Sequence, residues 1–153
     1  MSHDLAVGEK EPRIAPGAFV ATSAVLIGEV TLEDGAVLTG TVETPLTVGA
    51  GVSVGHAAIL SGCRVEEGTL IAIRAAVLEG ASVGAEAIVG AGAVVPPGGD
   101  VPPRTLVLGN PAAPKRAVTE EEVAENRRRV ERYAALAQSY RTAAHTPAEG
   151  SAD

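Results

Sequence analysis

Aromatic residues are nearly missing: one Phe, two Tyr and no Trp in 153 residues. Large rings supply much of the buried apolar area in an ordinary core of this length. The interior must therefore be assembled from many small aliphatic contacts, which points to a repetitive fold with a narrow interior. Cysteine is almost as scarce. A single Cys63 excludes an intrachain disulfide and fits a reducing compartment. Basic residues are in the minority, 12 Lys+Arg against 19 Asp+Glu for a net charge of −7. That balance disfavours a sequence-independent phosphate-binding surface, and with it nucleic acid as a partner. There is no long hydrophobic run either. The longest stretch without Asp, Glu, Lys or Arg, 44–63, holds Pro45 and four glycines and alternates polar with apolar residues, so no membrane span is expected. The first ten residues lack a basic segment leading into an apolar one, so no signal peptide is expected. The expected location is the cytoplasm.

What is abundant is small: 18 Gly, 28 Ala and 20 Val. They are arranged periodically. An aliphatic residue recurs every six positions at Val20, Leu26, Leu32 and Leu38. After a break it returns at Val48, Val54 and Leu60; one residue is then dropped, and Val65, Ile71, Val77, Val83, Val89 and Val95 follow. Four residues after each comes mostly a small or β-branched side chain, with Arg64 and Gly99 as exceptions. A period of six does not stay on one face of a helix. It suits short strands joined by tight turns, each unit pointing one aliphatic inward and turning on Gly, Ala, Asp or Asn. Three units per triangular coil stack equivalent units one above another, so these thirteen units make a little over four coils. The expectation is an all-β solenoid over 12–114, with 1–11 and 142–153 as flexible tails.

Beyond Val95 the composition shifts. Six of the ten prolines fall within 96–114, which reads as a rigid extended segment. A helix is expected over 118–141. Thr119 with Glu122 forms a capping box, and Glu120, Glu121 and Glu122 suit the positive end of the helix dipole. Val123, Val130 and Ala137 keep heptad spacing, with Tyr133 and Tyr140 three residues after the last two and Asn126 at the remaining matching position. That stripe predicts that Val123, Val130, Tyr133, Ala137 and Tyr140 face the solenoid or a neighbouring subunit. The triplet Arg127-Arg128-Arg129 reads as a solvated face.

Several stretches of text are more specific: Val52-Ser53-Val54-Gly55-His56, then Leu60-Ser61-Gly62-Cys63, Gly90-Ala91-Gly92-Ala93-Val94-Val95-Pro96-Pro97-Gly98 and Leu108-Gly109-Asn110-Pro111-Ala112. With Arg116-Ala117-Val118-Thr119-Glu120-Glu121, they resemble the γ-class carbonic anhydrase-like family of bacterial hexapeptide-repeat proteins over roughly residues 12–141. The resemblance implies a left-handed parallel β-helix with one C-terminal α-helix, assembled as a homotrimer. It also implies zinc or iron held by three histidines between subunits, where the metal would lower the pKa of a bound water.

His56 matches one of those ligands. Ser61 stands where the pattern has the second, and the upstream His has no counterpart, because Leu38 runs almost directly into Thr44-Pro45-Leu46 where family members have roughly another coil. The family's Arg-Gly-Asp reads Thr39-Gly40-Thr41. A degenerate metal site follows as the expectation, with His56 a remnant ligand and no cofactor. Cys63 is expected as a small buried hydrophobe, and His3 and His145 lie in the tails. Three functions fit. One is a metal-free scaffold or binding protein with a small-molecule ligand at the subunit interface. Another is an enzyme with a rebuilt pocket, His56 as acid or base beside Ser61, with Thr39, Thr41 or Glu43 to orient the imidazole. The third is a CoA-dependent acyltransferase, which shares the Gly-Asn-Pro-Ala segment.

Overall fold

The computed structural model describes residues 3–5, 12–21, 25–27, 30–38, 41–43 and 45–143, with side chains at 12–21, 30–37 and 45–135. Its chain winds into a three-sided parallel β-solenoid. The first face stacks His3–Leu5, Val25–Ile27, Thr41–Glu43, Ile59–Ser61, Ala76–Val77 and Val94–Val95. The second stacks Arg13–Ile14, Val30–Leu32, Leu46–Val48, Arg64–Val65, Ser82–Val83 and Asp100–Val101. The third stacks Phe19–Val20, Val37–Leu38, Ser53–Val54, Leu70–Ile71, Ile88–Val89 and Thr105–Leu108, and ends on an antiparallel strand, Ala113–Ala117.

The six-residue unit is a strand of inward, outward and inward residues followed by a corner. Side chains alternate along a strand, so the aliphatic position and the small residue two places before it both point inward. Ala81 and Val83 are buried on either side of Ser82, and Ala87 and Val89 on either side of Ile88. The first residue of each pair opens a corner of the triangle, where the space is mostly filled by Ala, Val, Thr or Cys and at one coil by Leu46. The one dropped residue is absorbed there. Cys63, and not Arg64, takes the inward place before Val65, and it is 4% exposed. Equivalent residues on successive coils pair directly, as Val65 does with Val83 and Ile71 with Val89.

Register shows what the breaks in periodicity do. Val65 pairs with Val83 and Val83 with Val101, 18 residues apart. Val48 pairs with Val65 at 17, and Leu32 with Val48 at 16. The interruption after Leu38 therefore shortens a coil by two residues without deleting it, because Thr41–Glu43 still supplies the strand of the first face.

The solenoid is longer at both ends than the aliphatic repeat alone. His3–Leu5 pairs with Val25–Ile27, inside the segment expected as a tail. At the other end Val101 and Val107 continue the buried column, and the prolines of 96–114 fall largely at corners. Pro97-Gly98 and Pro103-Arg104 turn between faces, where the chain makes room for a residue without an N–H.

The helix, α1 (Glu120–Ala143), is capped reciprocally. Thr119 Oγ1 accepts from the Glu122 N–H at 3.2 Å, and Glu122 Oε2 accepts from the Thr119 N–H at 2.9 Å. The helix lies along the corner column between the second and third faces. Arg104 pairs with Glu120, Arg127 with Glu86, and Asn126 Nδ2 donates to the Gly68 carbonyl at 2.8 Å. Val123, Asn126 and Val130 are buried against the solenoid. Tyr133 also faces the solenoid, half-buried at the edge of a cleft. The side chains of Ala137 and Tyr140 lie outside the described residues.

Candidate functional site at the His56 corner

His56 sits at the corner between the third face (Ser53–Val54) and the first (Ile59–Ser61), with its side chain exposed. Its carbonyl accepts from the Arg74 N–H of the next coil at 3.0 Å, so the corner stacks His56, then Ile73, then Ala91. Close stacking here requires Gly55: a Cβ on it would meet Ile73 N at 2.7 Å and the Ala72 carbonyl carbon at 2.9 Å.

Between this corner and helix α1 the third face is left uncovered. The result is a cleft of about 420 Å³ floored by Val37, Val54, Leu70 and Ala72, edged by His56, Ile73 and Ala91, and closed on the helix side by Arg129 and Tyr133. Ser53, 4% exposed, also lines it. Arg129 and Tyr133 are four residues apart and share one side of the helix. Both were missed as site residues in the sequence, where the arginine triplet read as solvated. The usable signal was helical phase: Arg129 is three residues beyond Asn126, which faces the solenoid.

Ser61 is placed elsewhere. It ends the strand Ile59–Ser61 and stands beside Glu43 in the ladder, so His56 and Ser61 occupy opposite ends of the same edge of the triangle. Within one chain the two are not juxtaposed. Thr39 lies outside the described residues, and Thr41 and Glu43 are described as backbone only. His3 is likewise described only as strand backbone, and His145 lies outside the described residues. Cys63 points into the core, and burial pushes its thiol up to about 12. Among the described residues no group of three His, Cys, Asp or Glu side chains is gathered as a metal would need. Within one chain the exposed imidazole of His56, the hydroxyl of Ser61 at a different corner and the inward-facing thiol of Cys63 are not brought together.

Three stacked parallel faces, an aliphatic column and corner turns at period six define the hexapeptide-repeat parallel β-helix proteins. Carnitine operon protein CaiE of Salmonella agona is 32% identical over 158 residues, covering 86% of this chain and 80% of that protein. A carbonic anhydrase of Geobacillus kaustophilus is 38% identical over 159 residues, covering 86% and 87%. The chain therefore belongs to the hexapeptide-repeat β-helix family related to CaiE and the γ-carbonic anhydrases. No protein-family model matches it. Among solved structures, a Bacillus cereus protein classed with the acetyltransferases superposes with a TM-score of 0.74 at 26% identity, over 92% of this chain and 98% of that one. No helix of the described residues is long and apolar enough to cross a membrane.

Proposed function

We propose that this chain is a γ-carbonic anhydrase-like homotrimer that has lost the three-histidine metal centre and uses the cleft at His56 to take a small molecule. The observation that carries the reading is the formed cleft beside His56. The reading is supported by Ser61 standing where the family pattern has a second histidine. The cleft beside the remaining histidine is formed, apolar and lined by a few polar groups, as ligand sites are. His56 at its rim offers an imidazole within reach of a bound molecule.

The purified protein should carry well under one zinc or iron per subunit and should not hydrate carbon dioxide. Ser61→His should not restore either, because two imidazoles leave the metal under-coordinated. Stoichiometric, tightly bound metal in elemental analysis, with loss of that metal in His56→Ala, would overturn the reading.

A second reading, a CoA-dependent acyltransferase, draws support from the B. cereus neighbour. It predicts saturable binding of acetyl-CoA and consumption of the thioester with an amine or hydroxyl acceptor. The first reading predicts neither.

A further inference from the structure

We propose that the cleft binds a small organic monocarboxylate with an apolar tail, the carboxylate held by Arg129 and the tail laid over Val37, Leu70 and Ile73. The proposal rests on the reading that the cleft at His56 takes a ligand, and it names the ligand's chemistry.

The argument begins with the helix arginines. Arg127 pairs with Glu86 at 2.7 Å, Arg128 with Glu125 at 2.9 Å and Arg132 with Glu125 at 3.3 Å. Their side chains are 69%, 56% and 66% exposed. Arg129 differs on both counts: it is half-buried, and among the described residues it forms no salt bridge. Its helical neighbour Glu125 is bonded to Arg128 and Arg132 and feels the charge of Arg129 only through space, with no salt bridge between them. A cation set against aliphatic walls interacts more strongly with an anion than it would in open solvent.

The planar guanidinium matches a carboxylate through two parallel hydrogen bonds. His56 and Tyr133 at the rim and Ser53 in the lining add hydrogen-bonding groups within the same cleft. A single arginine in the lining, on a chain of net charge −7, favours one negative charge over a polyphosphate. The remaining lining is aliphatic and gives an apolar tail a surface to cover. The volume of about 420 Å³ suits a molecule of that size.

The test is isothermal titration of the full chain with acetate, butyrate, hexanoate and octanoate, and with hexanol as the neutral counterpart. Affinity should rise about fourfold per added methylene until the cleft is filled, and hexanoate should bind more tightly than hexanol. Arg129→Gln should weaken hexanoate about tenfold or more and leave hexanol unchanged. Arg127→Gln, which alters a paired surface arginine, should change neither.

Equal affinity of hexanoate and hexanol, or hexanoate binding that Arg129→Gln does not weaken, overturns the carboxylate assignment. The cleft reading survives that outcome if Ile73→Asp still weakens hexanol. Both fail if no probe binds the unaltered protein.

Discussion

Cys63 and Gly55 are fixed by position in the coil more than by their own chemistry. Cys63 occupies an inward corner place given mostly to Ala, Val or Thr on other coils, and burial raises its thiol from an ordinary 9.0 to about 12. A thiol whose pKa is raised on folding stabilises the folded state fully below its unfolded value. That contribution is lost as pH climbs from about 9 toward 12. The native protein should therefore resist a disulfide reagent at pH 8 and react fully once unfolded in guanidinium. Rapid labelling of the native state would place the thiol at the surface instead. Gly55 is a matter of space. The Cβ of Gly55→Ala would press on the backbone of Ala72 and Ile73, which cannot swing away as a side chain can. The cost should be about 1–3 kcal/mol in urea unfolding. Gly92→Ala is the contrast. A Cβ there meets nothing within 4 Å, and only its φ of +68° opposes the change, so about 1–2 kcal/mol is expected.

At the scale of the element, the helix start is the clearest test. The Arg116 guanidinium, bonded to Glu122 through two hydrogen bonds of 2.8 Å, and the Thr119 N–H together hold the Glu122 carboxyl down to about 2. A depressed carboxylate stabilises the fold above its unfolded pKa, so this contribution should fade as pH falls from about 4.5 toward 2. Thr119→Ala should cost about 1 kcal/mol, and Glu122→Gln should flatten that acid limb in a pH series of thermal melts. An unchanged limb would assign it to other carboxylates. This capping box, the β-solenoid and the heptad pair Val123 and Val130 were legible because each is a local rule: residue type and spacing alone decide them. The ends of the solenoid were not legible in the same way. Asp100–Val101 and Thr105–Leu108 lie among prolines that sequence reading treats as breakers, yet the corners between strands accept them. The cleft beside Tyr133 was hidden for a related reason. Heptad spacing fixes which side of a helix a residue is on, but the triangular solenoid recedes from the helix there and leaves a cleft. Arg129 and His56 meet across that cleft from segments more than 70 residues apart, a proximity that no local pattern encodes.

At the scale of the whole molecule, the three faces are unequal. The second carries Arg13, Thr31, Thr47, Arg64, Ser82 and Asp100 outward, a polar surface. The first carries Ile59, Ala76 and Val94 outward, and the third Phe19, Val37, Ser53, Leu70, Ile88 and Leu106, mostly apolar and part of it under the helix. Ile59 and Ile73, 48% and 53% exposed, flank the His56 corner where these two apolar faces meet. An apolar wedge with a polar back suits closed cyclic assembly, since each copy can bury both sides of the wedge against neighbours. Sedimentation at micromolar concentration should give a mass about three times the 15.3 kDa chain. Ile59→Arg should shift that mass toward the monomer, because each guanidinium would be stripped of water in an interface with no partner for it. Thr47→Arg, on the polar face, should leave the mass unchanged. A monomeric unaltered chain would exclude the trimer. A trimer indifferent to Ile59→Arg but broken by Thr47→Arg would put the contact on the polar face, and the His56 cleft would then open to solvent with no neighbouring chain beside it.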